Sequence, residues 1–547
     1  RVFGQQTISL HLINILFHLA SVYLVYRFVI LLNGKNISAL IVAALFAVHP
    51  MHVESVAWIS ERKDVLYLFF TLLSLNAYIK YIRNYEWKFL AFSFLFFILA
   101  LLSKSAAVVL PLLIILIDYY KNERIITKKV LLKIPFLLLS VLFGLLAIQS
   151  QGQVMEDYTT PVFPLMDRFF IASYNLLLYI VKFIIPFQLS AFHPYPIEPG
   201  NNLPWLFYIS PIVLAILAIL LLRVKQLKRE VIFGLLFFFF GSILVIQLLP
   251  VGKAMFADRY SYLPFFGLAF IVGEFVTVPN LSRIKKALIS AEAMRYIIIF
   301  VLVVFSVISW NRVVVWKNNI SLWKDVVQKY PDHFYPHFAY ASSLMSANDV
   351  YKALDEFNTS ISLNSKFHNA YSQRALAKMY MNNIDGAVSD MTKAIVLKQD
   401  DATLYVTRGD LLEKIGDTVS AMNDYNKSIQ LDPKLASAWY NRGSLLTNLN
   451  KLDDALRDFN QSIALDPLFA DAYNNRGIVR YMKNDFSGAV NDYTEAIRLK
   501  PEDGLAYKNR GLAKLKLNDK NGACEDFTMA VNKGFKPAAQ QIEKHCR

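Results

Sequence analysis

Cysteine is almost missing from this chain. Two occur in 547 residues, Cys524 and Cys546, both near the C-terminus. That scarcity excludes a disulfide-built scaffold, and no Cys or His spacing of the kind that holds a metal is present, so no metal site is expected. Charge is also thin. Charged residues make up 18%, and they lean positive, with 57 Lys and Arg against 42 Asp and Glu and a formal net charge of +15. In a soluble chain such an excess would point to nucleic acid. Here no basic stripe with interleaved aromatics exists, and the positive residues crowd into short segments between apolar runs. A start methionine and a signal peptide are missing too: the chain opens Arg1-Val2-Phe3-Gly4. It is expected to be a piece, or a processed form, whose upstream residues lie elsewhere.

Apolar side chains are abundant. They make up 55% of the residues, with 41 Phe and 29 Tyr, and they concentrate before about residue 315. A bilayer span needs about 20 mostly apolar residues. Candidate spans fall at 8–32, 37–48, 65–83, 87–103, 106–120, 130–148, 205–222, 230–249, 263–277 and 296–315. The stretch 168–188 is ambiguous, because Arg168, Asn175 and Lys182 interrupt it. Arg- and Lys-rich loops stay cytoplasmic. The richest are 121–129, 223–229 and 278–295, and all three share one side only if 168–188 does not cross. On that reading the segments 49–64, 189–204 and 250–262 face outward, as does everything after residue 315.

The outward segments carry the chemistry. Segment 49–64 holds His49, His52, Glu54, Glu61, Arg62 and Asp64; a short turn adds Lys104; and 253–262 adds Lys253, Asp258, Arg259, Tyr260 and Tyr262. Ionisable groups beside hydrocarbon are costly to place, so a cluster of them is a functional-site candidate. A solvated loop that merely ends two helices would look similar. Carboxylates serve as general bases, and Arg and Lys hold phosphates. The composition also suits a transporter mouth.

From Trp316 the pattern changes to a period of 34, the spacing of tetratricopeptide repeats. Small residues recur at Ala341, Ala375, Gly409, Gly443, Gly477 and Gly511. Sixteen residues after each stands Phe357, Met391, Tyr425, Phe459, Tyr493 or Phe527. The small residues let two helices approach, and the large ones fill the space between them. Two further ladders keep phase: Arg374, Arg408, Arg442, Arg476 and Arg510, and Asp390, Asp424, Asp458, Asp492 and Asp526. They are expected to pair within or between repeats. The fold class predicted is all-α: a polytopic helical membrane domain over 1–315, a connecting half-repeat helix over 316–333, a solenoid of six repeats over 334–537, and a capping helix over 538–547. In an oxidising outer compartment Cys524 and Cys546 can form a disulfide that clamps the cap.

Several motifs in order, His49-Pro-x-His52-x-Glu54, Arg62-x-Asp64, Leu-Leu-Ser-Lys104, Asp118-Tyr119 and Arg259-Tyr-x-Tyr-Leu-Pro264, followed by the repeats, resemble the transmembrane and tetratricopeptide-repeat O-mannosyltransferase family, of the GT-C class of multi-span glycosyltransferases. Many relatives have Glu or Pro after the Ser-Lys pair, where Ser105 stands here. The resemblance implies transfer of a sugar from a polyprenyl-phosphate carrier to an acceptor on the outer side. It places the catalytic acidic residue in the first outward loop, upstream of residue 1, so no catalytic residue is assigned. Within that frame Arg259, Lys104 and Arg62 are expected to contact the lipid phosphate, and His49, His52, Glu54 and Asp64 to line the acceptor or sugar side. Arg259 would equally suit a topology anchor, and His49 a helix-end cap. In peptide-binding members of this repeat class the positions of Asn441, Asn475 and Asn509 line the concave groove, which would suit an acceptor polypeptide; a solvated polar face reads the same. No cofactor beyond the lipid-linked sugar donor is implied, and a divalent metal stays open. The repeats and cap look bacterial, which places the chain in an inner membrane with its repeats in the periplasm. A membrane-anchored scaffold without catalytic activity and a flippase of lipid-linked sugars remain the rivals.

Overall fold

The computed structural model describes residues 2–122, 131–155, 163–195, 202–223, 228–248, 254–277 and 291–546. The described residues are helical with irregular connections and contain no strand, only an isolated antiparallel bridge between His193 and Phe256. They fall into two compact units, Arg1–Pro331 and Asp332–Arg547.

The first unit opens with α1 (Val2–Asn33) and α2 (Asn36–Val48), then a short α3 (Val53–Ala57) and α4 (Arg62–Asn84). Next come α5 (Trp87–Ser103), α6 (Leu110–Lys121), α7 (Ile134–Met155) and α8 (Leu165–Ile184). The unit closes with α9 (Trp205–Leu222), α10 (Lys228–Ser242), α11 (Phe265–Thr277), α12 (Ala291–Val315) and α13 (Asn319–Lys329). Among the described residues four stretches are long and apolar enough to cross a bilayer: Ser9–Asn33, Ile59–Asn84, Trp205–Leu222 and Ala293–Val315. A fifth follows if Asn36–Val48 and Pro50–Ala57, bent by 52°, form one broken span.

Several of the ten expected spans are shorter helices than their apolar runs suggested. α5 is not one of these: it covers Trp87–Ser103, the expected span, and stops at Lys104, which is extended at φ −157°. α6 has 12 residues and ends on Asn122, left-handed at φ 55°. α10 has 15 residues, and α11 has 13. α8, the ambiguous stretch, carries Asp167, Arg168 and Lys182 and is not among the long apolar helices. Of the basic loops that set the expected orientation, 123–130, 224–227 and 278–290 lie outside the described residues, as does Lys253.

The core of this unit is a contiguous set of Phe, Leu and Ile side chains. α1 packs on α2 and α4, α4 on α5, and α11 on both α2 and α10. Gly234 and Gly267 let α10 and α11 touch backbone to backbone: a methyl on either would collide with the other's carbonyl oxygen. Small residues serve helix crossings in membranes this way. Glu274 of α11 is fully buried and is held by Asn33, by Lys35 at 2.6 Å and by Ser38 at 2.6 Å, which pins α11 to the turn between α1 and α2. A buried carboxylate needs such partners.

The second unit is six helix pairs. They are α14 and α15 (Phe334–Ser346, Val350–Leu363), α16 and α17 (His368–Tyr380, Ile384–Leu397), and α18 and α19 (Ala402–Lys414, Thr418–Leu431). α20 and α21 (Ala436–Asn448, Leu452–Leu465), α22 and α23 (Ala470–Met482, Phe486–Leu499), and α24 and α25 (Gly504–Lys516, Lys520–Asn532) follow. A Cβ on Gly409, Gly477 or Gly511 would lie 2.5, 2.7 or 2.6 Å from the ring of Tyr425, Tyr493 or Phe527. The small and large positions therefore fit each other in space as in sequence. Each Arg of the ladder forms a two-point pair with the Asp sixteen residues on, from Arg374 with Asp390 through Arg510 with Asp526. Nη1 of the same guanidinium reaches back to the preceding repeat, to Asn358, Thr392, Asn426, Asn460 or Thr494. The ladder thus joins helices within repeats and repeats to each other. α26 (Ala539–His545) ends the solenoid, and a disulfide between Cys524 and Cys546 ties it to α25.

Candidate active site

Proline and a run of polar residues stop α2 at His49 and start α4 at Arg62. Between them the chain makes two short 3-10 turns around α3. This elbow buries an unusual amount of charge. Glu54, Glu61 and Asp64 are each 1–3% exposed. They stay buried because residues far along the chain answer them.

Arg259 stands at the centre. Its Nη1 and its backbone N–H both donate to Glu54, the latter at 2.9 Å, and its Nε lies 3.6 Å from Glu61. The guanidinium sits over the rings of Trp58 and Tyr260, at 5.5 and 4.9 Å. Lys104 pairs with Asp64 and its Nζ lies 5.6 Å from the Tyr260 ring. Ser55 donates to the second oxygen of Asp64 at 3.4 Å. Glu54, Asp64, Lys104 and Arg259 are therefore one cluster, bridged by Tyr260. Such charge pairs persist in a low-dielectric site only when each partner is hydrogen-bonded.

The remaining expected residues lie apart. Arg62 turns toward α1, with Nε 3.4 Å from Asn14 and Nη2 3.4 Å from the Leu10 carbonyl. His49 accepts from the Met51 N–H at 3.2 Å through Nδ1, and its Nε2 faces the Phe183 carbonyl at 3.2 Å. His52 Nδ1 faces the Phe46 carbonyl at 2.8 Å. Both histidines line a cavity of about 540 Å³ formed with α1 and α12, which has neither Glu54 nor Arg259 in its wall. In the repeats, Asn441 donates to Asp410 at 2.6 Å, Asn475 to the Tyr440 hydroxyl at 3.1 Å and Asn509 to Asn474 at 3.2 Å. Each reaches the first helix of the preceding repeat.

A second buried network adjoins Arg259 in sequence. Asp258 accepts from the Ser190 N–H at 2.9 Å, lies 3.0 Å from His193 Nε2 and 3.4 Å from Lys182. The Tyr330 hydroxyl meets His193 Nδ1 at 2.6 Å, so a neutral ring accepts from Tyr330 and donates to Asp258. Burial pushes His193 down to about 4, against the pull of Asp258. Burial alone would raise Asp258, but Lys182 and His193 hold it well below the usual carboxylate range. Since His193 is neutral at pH 7, Lys182 is the cation that balances it. Lys329 donates to the Leu189 carbonyl at 2.5 Å, and Arg312 pairs with Asp325 at 2.6 Å. The network holds Asp258, the first residue of the 3-10 turn Asp258–Ser261 that carries Arg259. Sequence reasoning found Asp258 and noted Lys182 only as an interruption of an apolar run; that interruption was the available signal for it.

No group of three or more His, Cys, Asp or Glu that could hold a metal occurs among the described residues.

Parts of the chain match known families. Residues 1–150 match the Dolichyl-phosphate-mannose-protein mannosyltransferase family, and 402–435 and 436–469 each match a Tetratricopeptide repeat family. The chain is similar to the Protein O-mannosyl-transferase Tmtc1 of Drosophila melanogaster, 33% identical over 115 residues, which cover 21% of this chain and 13% of that protein. It is similar to a Protein O-mannosyl-transferase of Caenorhabditis elegans, 24% identical over 354 residues, covering 61% of this chain and 47% of the relative. Each match thus spans less than half of the relative's own length. Among solved structures, YrrB, a tetratricopeptide-repeat protein described as having an unusual peptide-binding site, is 23% identical with a TM-score of 0.29, covering 34% of this chain and 95% of that one. The chain is an integral membrane protein whose first 150 residues are similar to the Dolichyl-phosphate-mannose-protein mannosyltransferase family and whose second unit carries tetratricopeptide repeats.

Proposed function

We propose that this protein is a membrane glycosyltransferase that moves a sugar from a polyprenyl-phosphate carrier to a protein acceptor on the outer side of the membrane. The observation that carries this reading is the convergence of Arg259 and Lys104 on the carboxylates of the elbow, within and beside the segment matched to mannosyltransferases. In the reaction the bond from the sugar's anomeric carbon to the phosphate oxygen breaks, and a bond to the acceptor oxygen forms. The acceptor's proton passes to a base, and the polyprenyl phosphate leaves with the bonding electrons. Charge accumulates on the phosphate, so fixed cations lower the barrier. Arg259 and Lys104 are placed in that role. Arg62, bound to α1, is assigned only to the edge of the site. Glu54 is held at both oxygens by Arg259, which makes it a positioning residue rather than the base. The base remains unassigned. The repeats would recruit the acceptor, with Asn441, Asn475 and Asn509 on the surface that receives it. The setting we infer is a bacterial inner membrane with the repeats in the periplasm.

One observation favours the rival, a membrane-anchored scaffold without activity: both cations are already neutralised by buried carboxylates. The test is transfer of labelled mannose from a polyprenyl-phosphate donor in membranes that carry the protein. The proposal expects transfer that depends on the lipid-linked donor and is not supported by a nucleotide sugar. Absence of transfer, with the protein folded and acceptor-binding intact, would favour the scaffold.

A further inference from the structure

The hydrogen bonds around Asp258 lead away from the cluster and end on Tyr330, a residue to which the transfer chemistry gives no part. Asp258 opens the 3-10 turn Asp258–Ser261, and Arg259 is the second residue of that turn. His193 clamps its approach. The Met255 N–H donates to the His193 carbonyl at 2.8 Å, the His193 ring stacks on Phe256 at 3.9 Å, and His193 Nε2 lies 3.0 Å from Asp258 Oδ1. From α8 the Tyr179 hydroxyl donates to the Ala257 carbonyl at 3.0 Å. The turn is continuous: the Tyr260 N–H donates to the Ala257 carbonyl and the Tyr262 N–H to the Arg259 carbonyl, both at 3.2 Å. A shift at Asp258 is therefore carried into the backbone of Arg259, whose own N–H meets Glu54 at 2.9 Å.

His193 holds Asp258 only while its ring keeps one orientation. A neutral imidazole has one N–H and one lone pair, and the carboxylate takes the N–H, which puts the proton on Nε2. Nδ1 is then a bare acceptor inside the protein, since His193 is 2% exposed. The Tyr330 hydroxyl answers it at 2.6 Å, so the ring is held at both nitrogens. That hydroxyl arrives on the residue that caps α13, and the neighbouring Lys329 ties the same helix end to the Leu189 carbonyl at 2.5 Å. We infer that Tyr330 is a positioning residue for Arg259: acting through His193 and Asp258, its hydroxyl holds the guanidinium where the donor's phosphate meets it. The inference rests on the reading of Arg259 as a contact to that phosphate. Phenylalanine at 330 would leave Nδ1 without its donor, free the ring to turn, and loosen the turn that begins at Asp258.

The test is a double-mutant cycle on the full chain, read as the rate of mannose transfer from a polyprenyl-phosphate donor and scaled to the folded fraction. Tyr330→Phe removes only the hydroxyl and should lower the rate about tenfold, the scale on which a small misplacement acts from a distance. In an Arg259→Lys background the same change should cost less than about twofold, because the group that Tyr330 positions is already gone. His193→Phe should show the same pair of losses. A merely structural Tyr330 would give equal losses in both backgrounds. That result overturns the inference and leaves the transfer reading standing, as does an unchanged rate in Tyr330→Phe. No transfer by the native protein overturns the transfer reading and this role with it. Nitrogen NMR of the histidine-labelled native protein reads the ring without activity or variants. His193, assigned through its contact with the Phe256 ring, should carry its proton on Nε2 and none on Nδ1 at neutral pH. A proton on Nδ1 would overturn the inference even where both variants fail to fold.

Discussion

At the scale of single residues, the site is governed by what a charge needs when it leaves water. Glu54, Asp64 and Asp258 are each almost fully buried, and each has a cation against it. Removing one partner strands the other, which costs about 3–5 kcal/mol. Arg259→Ala is therefore expected to lower thermal stability as well as any transfer, while Arg259→Lys should recover most of the stability but not the guanidinium's simultaneous reach to Glu54 and Glu61. Thermal melts of the two variants, compared with their transfer rates, separate the effects. His193 gives a prediction in pH. Its folded value near 4 lies below the ordinary 6.5, so the unfolded chain binds its proton more readily. Its stabilising contribution is complete above about 6.5 and is lost as pH falls toward 4, and Asp258, also held low, extends the loss further into acid. The shift corresponds to about 3 kcal/mol. Melting temperature should drop between those pH values, and His193→Gln should flatten the drop; an unchanged acid profile in that variant would contradict the assignment.

At the scale of elements, the repeats were legible because their pattern is local. The spacing of 34, the small-to-large complement and both charged ladders appear in the helices where periodicity puts them. One signal of the same period was overlooked. Asn348, Asn382, Gly416, Asn450, Asn484 and Asn518 all have positive φ and make the turn inside each repeat. Asn and Gly enter that region with least strain. The membrane helices were less legible. Apolar runs showed where helices lie but not always where each stops: the run 87–103 is the helix Trp87–Ser103, whereas the run 230–249 ends as a helix at Ser242. The pairing of Glu54 with Arg259, 205 residues apart, has no local signature at all. Gly477→Ala is a direct test of the close helix approach: its new methyl meets the Tyr493 ring, and a loss of about 1–3 kcal/mol is expected in denaturant unfolding. Arg442→Ala should also destabilise, since it breaks the pair with Asp458 and the link to Asn426.

At the scale of the molecule, two units of different physics share one chain. One has apolar helices around buried ion pairs; the other is a water-facing solenoid whose end must be sealed, because a terminal repeat exposes an apolar face. The Cys524–Cys546 bridge closes a sequence separation of 22 residues at that end. Closing a loop of that length is worth about 3 kcal/mol in a chain-entropy account. Reduction, or Cys524→Ser, should lower the solenoid's unfolding midpoint and expose the last helices first in hydrogen exchange. In the other unit, the cluster around Arg259 is proposed to handle a lipid-linked sugar. The most direct measurement is the initial rate of mannose transfer from a polyprenyl-phosphate donor by the purified protein, with Arg259→Lys beside it. A donor-dependent rate is expected in the native protein and a fall of about a hundredfold in the variant, the scale of losing one preorganised charge contact. Equal rates in the two, or no donor-dependent transfer by the native protein, would contradict it.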